Sequence, residues 1–440
     1  MDRQKDTNTP TMREHETIVD KMSQISRRQF IIGAAAAGAA IAASGGIYYV
    51  LEGNKTNEGA EKLSVDSSQV LEIDDFEKED SLEAYVSQTR EIDLAYNTLV
   101  HVNGSTYASI LEPTETGSPL VTASLISLST ADKTRILKSA ITQERNFEIY
   151  DFRGNEKGFV WTESNIFTGQ IYVYTAPIDT DLSSNVIRVL ELNSESSLPN
   201  IELFENTAWI QVAPKETSSS SKSALYKIDI GSDASKLENV LTSKSFATAP
   251  SYTKEGIVVT PRNDNYTSRF DIRLLDGKAG TLKDILTLPQ SMTPQDASYG
   301  GTGFSFSFYG NYDYGDGISS LGTYAQMTLG EALQDESLLS RDERIKTESN
   351  VNWLHFARNP LCAPVWLGSI IAFKSTSSIA LFKPAEKKYA LISADEGADD
   401  YGVWLCSTGN ADKLVTINNI DYTPLSGDAI KSCTLRIYSA

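Results

Sequence analysis

Residues able to do chemistry are scarce in this 440-residue chain, which has only three histidines and three cysteines. His15 stands among polar N-terminal residues, His101 lies in Leu99-Val-His-Val102, and His355 lies in Trp353-Leu-His-Phe356. A histidine inside an apolar strand is expected to be a hydrogen-bonded structural side chain rather than a base. No Gly-x-Ser-x-Gly elbow occurs in the sequence, so a Ser-His-Asp hydrolase is not expected. Cys362, Cys406 and Cys433 show neither Cys-x-x-Cys spacing nor an adjacent histidine, which removes the iron–sulfur, haem and structural zinc patterns. In an oxidising compartment Cys406 and Cys433 could pair, and buried free thiols are the other reading. Asn311-Tyr-Asp-Tyr-Gly-Asp-Gly317 has calcium-loop acids, but its turn glycine comes one place late and no Glu stands at the twelfth position, so a polar aromatic loop is expected instead. The sequence therefore predicts no metal and no cofactor.

Charge narrows the partners. Lys+Arg number 39 against 58 Asp+Glu, a net charge of −19. Phosphate binding needs a basic stripe, and none is present, so nucleic acid is excluded as a partner.

The elements that would position a site read as short strands. Runs such as Phe147-Glu-Ile-Tyr-Asp-Phe152, Gly158-Phe-Val-Trp161, Ile171-Tyr-Val-Tyr174 and Val186-Ile-Arg-Val-Leu190 are β-branched and aromatic, and turn residues separate them. That pattern is strand, turn, strand. An apolar strand recurs near Ser109, Val160, Trp209, Val258 and Phe306, with spacings of 51, 49, 49 and 48 residues. The next, near Ile371, follows after 65 residues, and a last one centres near Trp404. Thr328-Leu-Gly-Glu331 is a capping-box pattern that opens a helical stretch, so a helical insertion over about 328–347 accounts for the longer interval.

Seven such units over 85–440 resemble a β-propeller of the TolB-like or WD-repeat-like type, without the strict blade motifs. The resemblance implies an all-β fold of about seven (six to eight) four-stranded blades. Ring closure is then expected from Glu91-Ile-Asp-Leu94, because the final unit is one strand short. If the recurrent strands are the innermost ones, the residues just past them project into the central funnel: Glu163, Arg262, Tyr309 and Lys374. Ser393-Ala-Asp395-Glu-Gly397 is similar to the start of the Asp-box of sialidase-like propellers, but it lacks the Thr-Trp ending and occurs once. In that family the box is a structural turn.

The N-terminus carries an address. Ser26-Arg27-Arg28-Gln29-Phe30 precedes an uncharged, Ala/Gly-rich run from Ile31 to Leu51. This resembles a twin-arginine signal, read through Ser26, Arg27, Arg28 and Phe30, and implies the twin-arginine translocase as the export partner. About 21 residues at 1.5 Å each span about 30 Å, enough to cross a bilayer. Ala40-Ile41-Ala42 offers a cleavage site, yet the apolar run continues beyond it, so a retained 31–51 anchor is expected, with secretion after cleavage as the alternative. Residues 52–83 hold 11 acids against three lysines, which places the body on the extracytoplasmic side of a bacterial membrane. Residues 1–30 then form a cytoplasmic polar region, and 52–84 an acidic disordered linker. With every catalytic pattern empty, the expected function is a non-enzymatic binding or scaffold propeller of the cell envelope, with an unknown protein or glycan ligand. The alternatives are a carbohydrate-active, glycosidase-like propeller and a cofactor-carrying exported redox protein.

Overall fold

In a computed structural model the described residues are 70–440, apart from 326–351, 356–361 and short internal stretches. Their strands form seven sheets. In chain order, blades 1 to 4 comprise residues 99–137, 147–192, 200–243 and 251–287, and blades 5 to 7 comprise 293–355, 365–392 and 398–439. Each blade is an up-and-down antiparallel meander, and its first strand packs on the blade before it. The contacts run from blade 1 through blade 7 and back to blade 1, so the molecule is a β-propeller with the first strands around the axis. The signal residues Ser26 to Phe30, the 31–51 segment and the 328–347 insertion lie outside the described residues. Among those described, helix is confined to short 3-10 turns, and no helix is long and apolar enough to cross a membrane.

Hydrophobic burial explains the strand pattern. Among the described residues there are seven apolar clusters, six drawing on two neighbouring blades and one holding Phe76 against blade 6, so the core is a ring of interfaces and not one central mass. A second strand is covered on both faces and reads as a continuous apolar run: all of Gly158–Asn165 and Gly256–Val259 is buried. A fourth strand lies at the rim, and Leu282–Thr287 is accordingly mostly exposed.

Closure is as the short final unit predicts. Ser87–Leu94 pairs antiparallel with Ile430–Ser439 and completes blade 7, with Glu91 opposite Arg436. Arg436 also grips the Asp-box segment: its Nη1 and Nη2 donate to Asp395 at 2.9 and 2.8 Å, while its Nε donates to Glu91 at 2.7 Å. With Gly397 at φ 79°, that segment is a turn, and Asp395 ties it to the closing strand pair.

The acidic stretch 52–84 departs from the linker expectation in its last part. Val70–Glu72 pairs in parallel with Asn352–His355 and adds a fifth strand to blade 5, and Glu77–Lys78 does the same on blade 6. Between them Phe76 is buried edge-on against Phe382 at 5.2 Å. A single aromatic in an acidic run, with backbone free to extend a sheet edge, suffices to turn a tether into a strap.

Candidate functional site

Six of the recurrent apolar strands are second strands, not innermost ones, the last, near Trp404, being a first strand, and this moves the predicted funnel residues. Tyr107–Pro113, Gly158–Asn165, Thr207–Val212, Gly256–Val259, Gly303–Tyr314 and Ile370–Lys374 each lie one strand away from the axis. The cause is the two-sided burial that makes second strands the most apolar. Glu163 is fully buried and structural: it accepts from Ile141 N at 2.7 Å, Thr142 N at 3.0 Å and Trp161 Nε1 at 3.0 Å, fixing the segment that joins blades 1 and 2. Arg262 stacks its guanidinium 3.8 Å from the Phe270 ring, within blade 4. Tyr309 is in the second strand of blade 5, opposite Thr293. The four are thus spread over blades 2, 4, 5 and 6 and are not brought together.

Lys374 alone keeps its interest. It ends the second strand of blade 6, is 0% exposed, and its Nζ donates to Ser375 O at 2.8 Å and lies 5.4 Å from the Trp404 ring. Burial pulls its pKa down to about 8, against the opposing pull of Cys362 and Asp399. Cys362, Asp399 and Trp404 lie near it, and Asp296 reaches it only through Cys362. Asp296, on the first strand of blade 5, accepts from Ala363 N at 3.2 Å and Ala297 N at 2.9 Å. Its pKa is pushed up to about 6 by burial, which outweighs those two donors. Cys362, just before the first strand of blade 6, has its thiol pushed up to about 12 by burial and by Asp296, while the Lys374 backbone N–H bonds its sulfur. Asp399 and Trp404 belong to the first strand of blade 7. Asp296, Asp399 and Trp404 retain partial solvent exposure, so water reaches this part of the axis.

A second polar group lies further along the axis. His101, on the first strand of blade 1, reaches past blade 2 to Glu202 on the first strand of blade 3, with Nε2 3.0 Å from Oε2. The histidine is hydrogen-bonded, as its apolar surroundings predict, but its partner comes from two blades away. Glu202 is 0% exposed. Burial opposes its ionisation, yet the charge and hydrogen bond of His101, with Arg153, hold it below the usual carboxylate range. Arg153 of blade 2 pairs with Asp151, and its Nε is buried without a partner among the described residues. Tyr252 of blade 4 has its hydroxyl pushed up to about 12 by burial and by Glu202. No cluster of metal-ligating side chains occurs among the described residues, and all three cysteines are free.

Sequence reasoning missed Asp296, Glu202 and the role of His101. Asp296 lies in Thr293–Gly300, a strand of mixed polarity with no periodic signal. The one available clue was that first strands, with an edge on the axis, must be the more polar ones.

The sequence matches no known protein family and no curated protein. Its fold is similar to that of a prolyl endopeptidase, at 9% identity and TM-score 0.46 over 77% of this chain and 46% of the other. It is also similar to an oligogalacturonate lyase in complex with manganese, at 8% identity and TM-score 0.44 over 81% and 98%, and to YCF48 bound to D1 peptide, at 8% and 0.44 over 82% and 98%. This chain thus spans about half the length of the prolyl endopeptidase. These likenesses concern the fold. The peptidase and the lyase are named as enzymes, which the sequence expectation for this chain had not favoured. The expected non-enzymatic envelope scaffold finds no counterpart in the peptidase and the lyase and is withdrawn.

Proposed function

We propose that this protein is an exported, carbohydrate-active enzyme of glycosidase type, with its site between blades 5, 6 and 7. The observation that carries this reading is a polar group drawn from blades 5, 6 and 7, in which Cys362 feels both Asp296 and Lys374 and Lys374 feels Asp399, with the Asp296 carboxyl pushed up to about 6. An acid that keeps its proton close to neutral pH can protonate a glycosidic oxygen, while a second carboxylate serves the other face of the sugar. In that step the C–O bond to the leaving group breaks, Asp296 gives the leaving oxygen its proton, and water supplies the new hydroxyl while its other proton passes to the Asp399 carboxylate and then to solvent, from which Asp296 is reprotonated. Trp404 offers a ring face to the sugar.

Asp296→Asn keeps the shape and removes the proton, so a glycan-hydrolysis screen of the purified chain should find an activity that this variant lowers by 10²-fold or more. That activity should fall as pH rises above about 6, where Asp296 ionises. No cleavage of any glycan, or full activity in the variant, refutes the reading.

We further infer a TolB-like propeller delivered by the twin-arginine route and held outside by the 31–51 helix. The support is Ser26-Arg27-Arg28-Gln29-Phe30 ahead of a weakly apolar run. Replacing both Arg27 and Arg28 by Lys should abolish export, and normal export of the double variant would send the chain to general secretion.

A further inference from the structure

The loop 406–412 of blade 7, between its first and second strands, crosses the axis. Thr408 Oγ1 donates to Tyr252 O of blade 4 at 3.1 Å and to Val102 O of blade 1 at 3.4 Å. Trp366 N of blade 6 donates to Gly409 O at 2.8 Å, and Ala411 N returns to Trp366 O at 2.8 Å. Against blade 5 the fit is equally close. A Cβ on Gly409, whose φ is 60°, would lie 3.0 Å from Tyr299 O, and one on Gly300 would lie 3.0 Å from Asn410 N. In a ring of seven blades, a loop from blade 7 can touch blades 1, 4, 5 and 6 together only by lying over the centre. Just above it the His101–Glu202 pair spans blades 1 and 3, with Glu202 fully buried.

The other end differs. Asp296 and Asp399 lie toward the end where second strands finish, and both are partly open to solvent. From Asp296 to the loop contact at Gly300 is four residues of strand, about 13 Å. Thr408, Gly409 and the His101–Glu202 pair thus lie across the axis at the end where first strands finish, and Asp296 stands on the wall about 13 Å from them.

We propose that the substrate enters as a chain end, so that the enzyme removes terminal units from a saccharide and does not cut within a polymer. This rests on the carbohydrate reading above. A polymer threaded through the axis would have to displace the 406–412 loop, whereas a terminus can descend until that loop stops it. The bond that reaches Asp296 is then a terminal one, and its cleavage consumes one water and frees one short saccharide.

The test compares linear oligosaccharides with cyclic ones of the same linkage, and follows polymer viscosity alongside new reducing ends. The expected result is release of short products from linear substrate, a rate on cyclic substrate at least 100-fold lower, and viscosity that falls only as mass is lost. Equal rates on cyclic and linear substrate, or an early collapse of viscosity, overturn the terminal-unit proposal while leaving the carbohydrate reading intact. Absence of cleavage on every glycan overturns both. Thr408→Val removes the two bonds that hold the loop across the axis, and should raise the cyclic-to-linear rate ratio several-fold. A general loss of stability would lower both rates together, and an unchanged ratio means the loop is not the stop.

Discussion

Phe76→Ala is the sharpest test of whether residues 70–80 are a strap or a tether. Phe76 is 6% exposed and belongs to a cluster with Trp366, Ile371, Phe373, Ala380 and Phe382. Truncating a buried phenylalanine costs about 3–5 kcal/mol through lost transfer energy and the cavity left behind. Here the lower end applies, because only Glu77–Lys78 pins the strap on the far side of Phe76, and the backbone can settle into part of the gap. The lost edge-on contact with Phe382 is contained in that figure. The expected destabilisation is therefore about 3 kcal/mol. Urea unfolding of the full chain, followed by tryptophan emission, reads it directly, since Trp366 sits in the same cluster. Glu77→Gln is the control, because this exposed residue should change stability by no more than about 0.5 kcal/mol. A Phe76→Ala loss under about 1 kcal/mol would place the segment in solvent and refute the packing described for blade 6.

Two further outcomes follow from the charged groups. Arg436→Met should weaken ring closure by about 1–2 kcal/mol at pH 7, less than three charge-assisted bonds would suggest, because Glu91 and Asp395 are 48% and 32% exposed. Arg436 lowers the pKa of Glu91 in the folded chain, so its contribution is present above the unfolded carboxylate range and fades as pH falls through the folded value; unfolding curves at pH 7 and pH 3 should show the variant's deficit shrinking. Lys374 titrates near pH 8 when folded and near about 10.4 when unfolded, so between these the unfolded chain holds the extra proton and stability should rise with pH, by at most about 1.4 kcal/mol per unit. Lys374→Met should flatten that rise, and an unchanged slope would mean that the amine is solvated.

Much of the fold is written along the chain. Two-sided burial of each second strand demands an apolar run, and seven blades of similar size repeat that demand at nearly constant spacing, so the propeller is legible from Ser109, Val160, Trp209, Val258 and Phe306. The short final unit likewise announces its missing strand, since an unpaired sheet edge has to be completed by another segment, and Glu91 to Leu94 supplies it. The site was hidden for the same reason that the fold was visible. Apolar periodicity marks the best-buried strand, and function sits on the neighbouring one, whose edge faces the axis and whose composition carries no period. Which polar residues meet there depends on the order of blades around the ring. Asp296, Lys374 and Asp399 belong to three different blades, and His101 and Glu202 are 101 positions apart in sequence. No spacing rule connects them, because only ring closure brings their strands to a common centre. Tertiary structure also decides the two features with the least sequence signal: Phe76 leaves an acidic run for the core of blade 6, and the Thr408 loop reaches across the axis to four other blades.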